Sequence, residues 1–178
     1  MGADFQSAVA RCGQRVRDDR RHDCSSPPAQ LRGKRGAAEI QAIGRSRGGL
    51  STKIHATVDG LGNPTGFHLT PGQAHDLDGA DVLLKDTPAQ IVIADKAYDA
   101  QARMVEPLRA AGKTVVIPSR STSREPREYD KHLYKERHLI ENFFAKLKQF
   151  RCIATRYDKT ARNFLGAIHF AAAVVWLN

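Results

Sequence analysis

Gln90 to Ala94, QIVIA, is a short, continuously apolar, β-branched run that stops abruptly at Asp95 and Lys96. A strand with this composition is buried on both faces, which requires cover above and below the sheet that contains it. Lys113 to Pro118, KTVVIP, has the same character, and Ala100 to Ala111, closed by Gly112, reads as a helix between the two. Upstream, Ser51 to Asp59 alternates, with Ile54, Ala56 and Val58 on one side, and Asp59 to Pro64 supplies turn chemistry before a second extended run over Thr65 to Thr70. Asp76 is placed to N-cap a short helix over Leu77 to Lys85. The order hairpin, helix, strand, helix, strand predicts an α/β domain.

Downstream, the polar stretch Ser119 to Asp130 precedes a long helix from about Lys131 to Phe150 and a terminal apolar helix. Phe164 to Leu177 is too short to cross a bilayer, which needs ~20 apolar residues, and reads as a buried closing helix. No membrane partner is expected. The first 40 residues differ from the rest. They are rich in arginine, broken by Pro27 and Pro28 and by several glycines, and lack apolar periodicity, so they read as a basic, poorly ordered arm ahead of a domain over residues 41–178.

The chain of 178 residues carries 28 Lys plus Arg against 19 Asp plus Glu, a formal charge of +9, which favours a polyanionic partner. Cys12, Cys24 and Cys152 are odd in number and have no CxxC spacing, which excludes a disulfide framework or a thiolate zinc site and points to a reducing, cytoplasmic compartment. No apolar segment follows Met1, so no secretory leader is expected. His55 and His68 in the expected strands and His75 in a loop lack the paired spacing of zinc ligands. His169 is read as a core histidine and Trp176 as packing.

Two carboxylates stand out. Asp95 closes a central strand, the place where open α/β sheets set their sites, although turn-capping aspartates occupy the same place. Glu141 lies in the long helix. At about 100° per residue, Tyr134, Arg137, Glu141 and Lys148 fall within about a 60° arc, opposite Leu133, Ile140, Phe143, Phe144 and Leu147. That arc is either a solvated face with an ordinary Arg137 to Glu141 pair or a functional stripe.

The spacing Tyr-x2-Arg-x3-Glu-x6-Lys over Tyr134, Arg137, Glu141 and Lys148 resembles the signature of insertion-sequence transposases of the DDE class, in the insertion-sequence-four and insertion-sequence-five groups. GRSRGGLSTKIHATVDGLGNP (44 to 64), TPGQAHD (70 to 76), ADKAYD (94 to 99) and the stretch from 134 to 177 resemble that family in the same order, so the likeness spans roughly residues 40 to 178. It implies a ribonuclease H-like fold, a mixed five-stranded sheet with helices on both faces, carrying an Asp-Asp-Glu triad. Asp95 and Glu141 match its second and third members and are the implied catalytic and metal ligands. Two Mg²⁺ ions need such hard oxygen donors to clamp an in-line phosphoryl displacement. Water cuts first, and the freed 3′-hydroxyl then attacks target DNA. The implied partner is double-stranded DNA, both transposon ends and target, held nucleoid-associated and by more than one copy of the protein. Tyr134, Arg137 and Lys148 would contact that DNA, and Arg45, Arg47 and Lys53 would form a phosphate-binding lip.

The triad's first aspartate should close an apolar first strand and begin a motif of the form D-[ST]-x-x-x-R-A-H, which this chain lacks. Asp4, Asp18, Asp19 and Asp23 follow no buried-strand run, and Asp23 is the candidate taken forward. A complete member is also longer. The expectation is therefore a truncated or frame-disrupted copy without the first strand, with open edges on that strand's neighbours, a tendency to associate and a weak Mg²⁺ site. The competing readings are a non-catalytic DNA-binding remnant and an unrelated ribonuclease H-like nuclease.

Overall fold

The computed structural model describes residues 7–17, 41–47, 49–85, 87–121, 123 and 126–177. Six strands form one mixed sheet: β1 (Ser7–Arg17), β2 (Gly44–Ser46), β3 (Gly49–Val58), β4 (Pro64–Pro71), β5 (Ile91–Ala94) and β6 (Thr114–Val116). β1 lies at the centre. It pairs antiparallel with β3, from Val9 opposite Val58 to Arg17 opposite Ser51, and parallel with β5, from Ser7 opposite Ile91 to Ala10 opposite Ala94. β6 continues the parallel half beside β5. The other edge of β3 is shared end to end by β2 and β4.

The central strand corrects the sequence reading. Ser7–Arg17, expected in a poorly ordered arm, is a strand, and the slot between β3 and β5 is filled rather than open. The association argued from open edges loses its ground. SAVARCGQRVR has little β pattern of its own. Two neighbours with unpaired edges provide hydrogen-bond ladders on both its sides, and that tertiary context outweighs weak local preference.

The helices are α1 (Asp76–Leu84), α2 (Glu106–Ala110), α3 (Lys131–Tyr134), α4 (His138–Leu147), α5 (Arg151–Ala154) and α6 (Ala161–Leu177). They cover the sheet on both faces, as QIVIA requires. Ile93 and Val116 face Ile140, Phe143, Phe144 and Leu147 of α4 and Phe164 and Ile168 of α6, whereas Val92 and Ala94 face Leu77, Leu84, Tyr98, Met104 and Leu108 on the other side. Alternation in β3 also holds, with Ile54, Ala56 and Val58 in the first layer.

Its other face is polar yet buried: Lys53, His55 and Thr57 lie beneath α1, and a side chain at Gly79 would collide with the His55 ring. α1 is capped by His75 rather than Asp76. His75 Nδ1 accepts from Leu77 N at 3.2 Å, and Asp78 reaches back to His75 N at 3.1 Å, a reciprocal capping box. Asp76 is thereby left to face Lys53.

The β3–β4 turn forms as predicted: Asp59 Oδ1 accepts from Leu61 N and Asn63 N, both at 2.9 Å, and Gly62 takes the positive φ of 87° that the turn demands. Ahead of α2 the segment Gln101–Val105 winds as a π-helix, with Val105 N donating to Ala100 O at 3.2 Å, and Pro107 falls in the first turn of α2, where its missing N–H is tolerated.

α6 buries one stripe only, formed by Phe164, Ile168, Ala171 and Ala172. Its other side exposes Phe170 and Trp176, and His169 is an exposed ring packed edge-on against Phe67 at 5.1 Å. Trp176 and His169 are therefore surface residues, contrary to expectation, because 14 apolar or small positions in one helix exceed what a single sheet face covers. Among the described residues, no helix is long and apolar enough to cross a membrane.

Candidate active site

β5 delivers Asp95 at its carboxyl end, where the backbone leaves the sheet extended and turns into a short 3₁₀ segment over Lys96–Tyr98. One carboxylate oxygen of Asp95 caps that turn, accepting from Lys96 N at 2.6 Å. The other faces Arg137 Nη1 at 3.8 Å. The turn cap and the ion pair with Arg137 therefore coexist, one on each oxygen of this aspartate.

Glu141 arrives from the opposite direction. Asp130 starts the helix by accepting from His132 N at 2.7 Å and Leu133 N at 3.0 Å. α3 passes through a 3₁₀ turn over Lys135–Arg137 into α4 without leaving the helical region of backbone space. Ile140, Phe143, Phe144 and Leu147 anchor α4 to the sheet. The polar stripe is therefore held beside the end of β5. Arg137 Nη1 lies 2.7 Å from Glu141 Oε1, so one nitrogen contacts the carboxylates of both Asp95 and Glu141.

Tyr134 completes the cluster. Its ring lies 5.5 Å from the Arg137 guanidinium carbon and packs edge-on against Tyr129 at 5.3 Å. Burial pushes the Tyr134 hydroxyl above its usual value, Arg137 pulls it back and the Asp95 charge adds to the rise, so the side chain stays a neutral phenol. Lys148 closes α4 as an exposed residue on the same stripe, about 10 Å along the axis from Glu141.

The remaining predicted residues divide. Arg45 in β2 and Arg47 in the following turn are exposed. Lys53 is not part of a phosphate-binding lip: it is buried, and its ammonium is 2.5 Å from both Ala74 O and Asp76 Oδ1. The alternation of β3 sends it to the face covered by α1. Asp23, with Asp4, Asp18 and Asp19, lies outside the described residues. The parallel pairing of β1 and β5 ends at Ala10 with Ala94, one residue before Asp95, and β1 contains no acidic residue. The strand then runs on for about 20 Å to Arg17. Among the described residues, no group of three His, Cys, Asp or Glu is arranged to hold a metal ion.

Two features escaped the sequence reading. The polar loop before α3 is tied to the Asp95 turn: Arg127 bridges Asp99 and Gln101, Arg120 N donates to Asp99 Oδ2 at 2.7 Å, and Arg120 Nη2 donates to Ala97 O at 3.0 Å. Arg156, in the loop after α5, is buried with Phe164 under its guanidinium and donates to Thr52 Oγ1 at 2.5 Å. An arginine in a polar loop has no periodicity to betray a buried role, so only the folded contacts reveal both.

The transposase DDE domain family matches residues 26–176. A Brucella ovis protein named as a transposase for an insertion sequence element is 43% identical over 132 residues, which cover 72% of this chain and 99% of that relative. The chain, with its acidic strand end and its Tyr-Arg-Glu-Lys helix, belongs to the transposase DDE domain family.

Proposed function

We propose that this chain is the catalytic domain of an insertion-sequence DDE transposase with a ribonuclease H-like fold, which binds double-stranded DNA and cuts and joins its strands at a Mg²⁺ site built on Asp95 and Glu141. The observation that carries the reading is the meeting of Asp95, from the end of β5, and Glu141, from α4, on a single nitrogen of Arg137. The sheet order supports the architecture: an antiparallel β4–β3–β1 half joined through β1 to a parallel β5–β6 half, with helices on both faces.

The donor set fits a divalent cation. Two part-exposed carboxylates converging on one positive centre are the hard oxygen ligands Mg²⁺ takes, with positions left over for water and phosphate. Bound there, Mg²⁺ would supply Lewis-acid stabilisation of the phosphoryl oxygens and a more acidic attacking water. The chain's own contribution is placement. Asp95 is fixed by the turn it caps, Glu141 by the apolar anchor of α4, and Lys148, Arg45 and Arg47 offer cations to the DNA backbone. The phenol of Tyr134, neutral and beside both carboxylates, provides a donor for a phosphate oxygen.

A DNA-binding remnant without chemistry is the second reading, favoured by β1, which pairs with β5 as far as Ala94 and contains no acidic residue. The two separate in one experiment: Mg²⁺-dependent cleavage of a labelled duplex carrying the flanking element's own ends, with Asp95→Asn and Glu141→Gln as controls. Cleavage and joining lost in both controls, with DNA affinity kept, is the expected result. Salt-sensitive binding without cleavage by the unmodified chain establishes the remnant. Cleavage without joining points to a nuclease.

A further inference from the structure

Arg137 is held as a cation where the site would hold a metal. One of its nitrogens lies 2.7 Å from Glu141 Oε1 and 3.8 Å from Asp95 Oδ2, and its guanidinium is cradled from the side by the Tyr134 ring. A divalent ion and a guanidinium nitrogen cannot share the space between the same two carboxylates, since each needs the oxygens at close range and they repel one another. We infer that Arg137 is a built-in stand-in cation that must leave the Asp95–Glu141 pair before a divalent metal enters, and that a DNA phosphate draws it away, so that metal loading is coupled to DNA binding.

This inference rests on the proposed metal role of Asp95 and Glu141 and adds a positioning role for a residue that the resemblance ties only to DNA. Three features of the chain support it. The pair is part-exposed, with side-chain exposures of 24% for Arg137, 34% for Asp95 and 37% for Glu141, so the guanidinium is able to exchange partners without crossing a core. Arginine has five donors in a planar fork, a geometry that suits a phosphate as well as a carboxylate. Its residue sits in the 3₁₀ turn between α3 and α4, a place where the helix is wound tighter than on either side. Without Arg137 the two carboxylates would repel each other; with it, one of their two negative charges is offset within the metal-free site.

The consequence is reciprocal, as any coupling between two ligands must be. Duplex DNA strengthens metal binding by removing the competitor, and metal strengthens DNA binding by releasing Arg137 to the phosphate.

The test measures Mn²⁺ affinity directly, from the free-ion electron paramagnetic resonance signal, on the full chain with and without a short duplex. Arg137→Gln is expected to bind Mn²⁺ about three- to tenfold more tightly than the unmodified chain, the size of two part-exposed ion pairs removed. Arg137→Lys, which keeps the charge, is expected to stay close to the unmodified chain. Duplex is expected to tighten Mn²⁺ binding in the unmodified chain and leave Arg137→Gln unchanged, after subtraction of the ions held by duplex with the Asp95→Asn, Glu141→Gln double variant. If Arg137→Gln binds Mn²⁺ as weakly as the unmodified chain or more weakly, while the double variant loses binding, the stand-in role is wrong and the metal site stands. If the double variant binds Mn²⁺ as well as the unmodified chain, the metal site itself is wrong. Thermal unfolding of each variant confirms that the protein measured is folded.

Discussion

Lys53 Nζ lies 2.5 Å from Asp76 Oδ1, an ion pair between the α1-covered face of β3 and the first residue of the helix that covers it. The same ammonium reaches Ala74 O. Lys53→Met should therefore lower stability by about 1–3 kcal/mol, the range for removing a charged hydrogen-bond partner from a buried carbonyl, and leave the salt dependence of DNA binding unchanged. Urea unfolding and a salt titration of duplex affinity check the two halves. A slope that falls with Lys53→Met would restore this lysine to the DNA-facing surface.

Lys148 is the contrasting case, exposed at the end of α4 on the Arg137–Glu141 stripe. Lys148→Ala should weaken duplex binding and reduce the log-log salt slope by about 0.9, the release expected for one phosphate contact. Fluorescence anisotropy across a range of salt concentrations reads both. An unchanged slope would take Lys148 off the phosphates.

His55 should make the fold acid-sensitive. Burial chiefly, then the neighbouring His68, lowers its pKa from 6.5 to about 4, against the opposing pull of Asp76, so the folded chain holds it neutral, bonded to Thr70 Oγ1 at 2.7 Å. The unfolded chain takes up that proton at a higher pH. The contribution from neutral burial is thus complete above about pH 6.5 and is lost as pH falls towards 4, amounting to about 3 kcal/mol by linkage. Unfolding free energies measured between pH 7 and 4 should fall more steeply for the unmodified chain than for His55→Gln. Parallel curves would mean that His55 titrates normally in the fold.

Arg156 and Thr52 are joined across 104 residues of chain, and the guanidinium also donates to Asp158 O at 3.0 Å. Arg156→Ala should cost about 2–4 kcal/mol, because it leaves buried acceptors without this donor and a void against Phe164. Arg156→Lys should recover little, since a single ammonium cannot span partners that the planar fork reaches together. Equilibrium unfolding of the two variants decides it; full recovery with lysine would reduce the role of Arg156 to charge alone.

Local pattern carried a good part of the architecture. Ile91 to Ala94 is covered on both faces because all four of its side chains are apolar, and the turn at Asp59 to Pro64 forms because aspartate, glycine and asparagine close it from within. The stripe of Tyr134, Arg137 and Glu141 lies on one face of its helix because helical periodicity leaves no other arrangement. Cooperative features were not readable in this way. The cap of α1 is His75 rather than Asp76, and Asp76 instead pairs with Lys53, a residue distant in sequence. Trp176 and His169 stayed at the surface because the sheet had only one stripe of α6 to cover.

By itself the sequence determined the α/β class, the family's Tyr-Arg-Glu-Lys helix and the candidacy of Asp95 and Glu141, all of which rest on residue type and short-range period. The tertiary structure alone decided that Ser7–Arg17 is the central strand, that Lys53 faces inward and that Arg137 joins two carboxylates. Each of these depends on which distant edges and charges meet, because backbone hydrogen bonding between strands and Coulomb attraction between side chains act through space and leave no period in the chain.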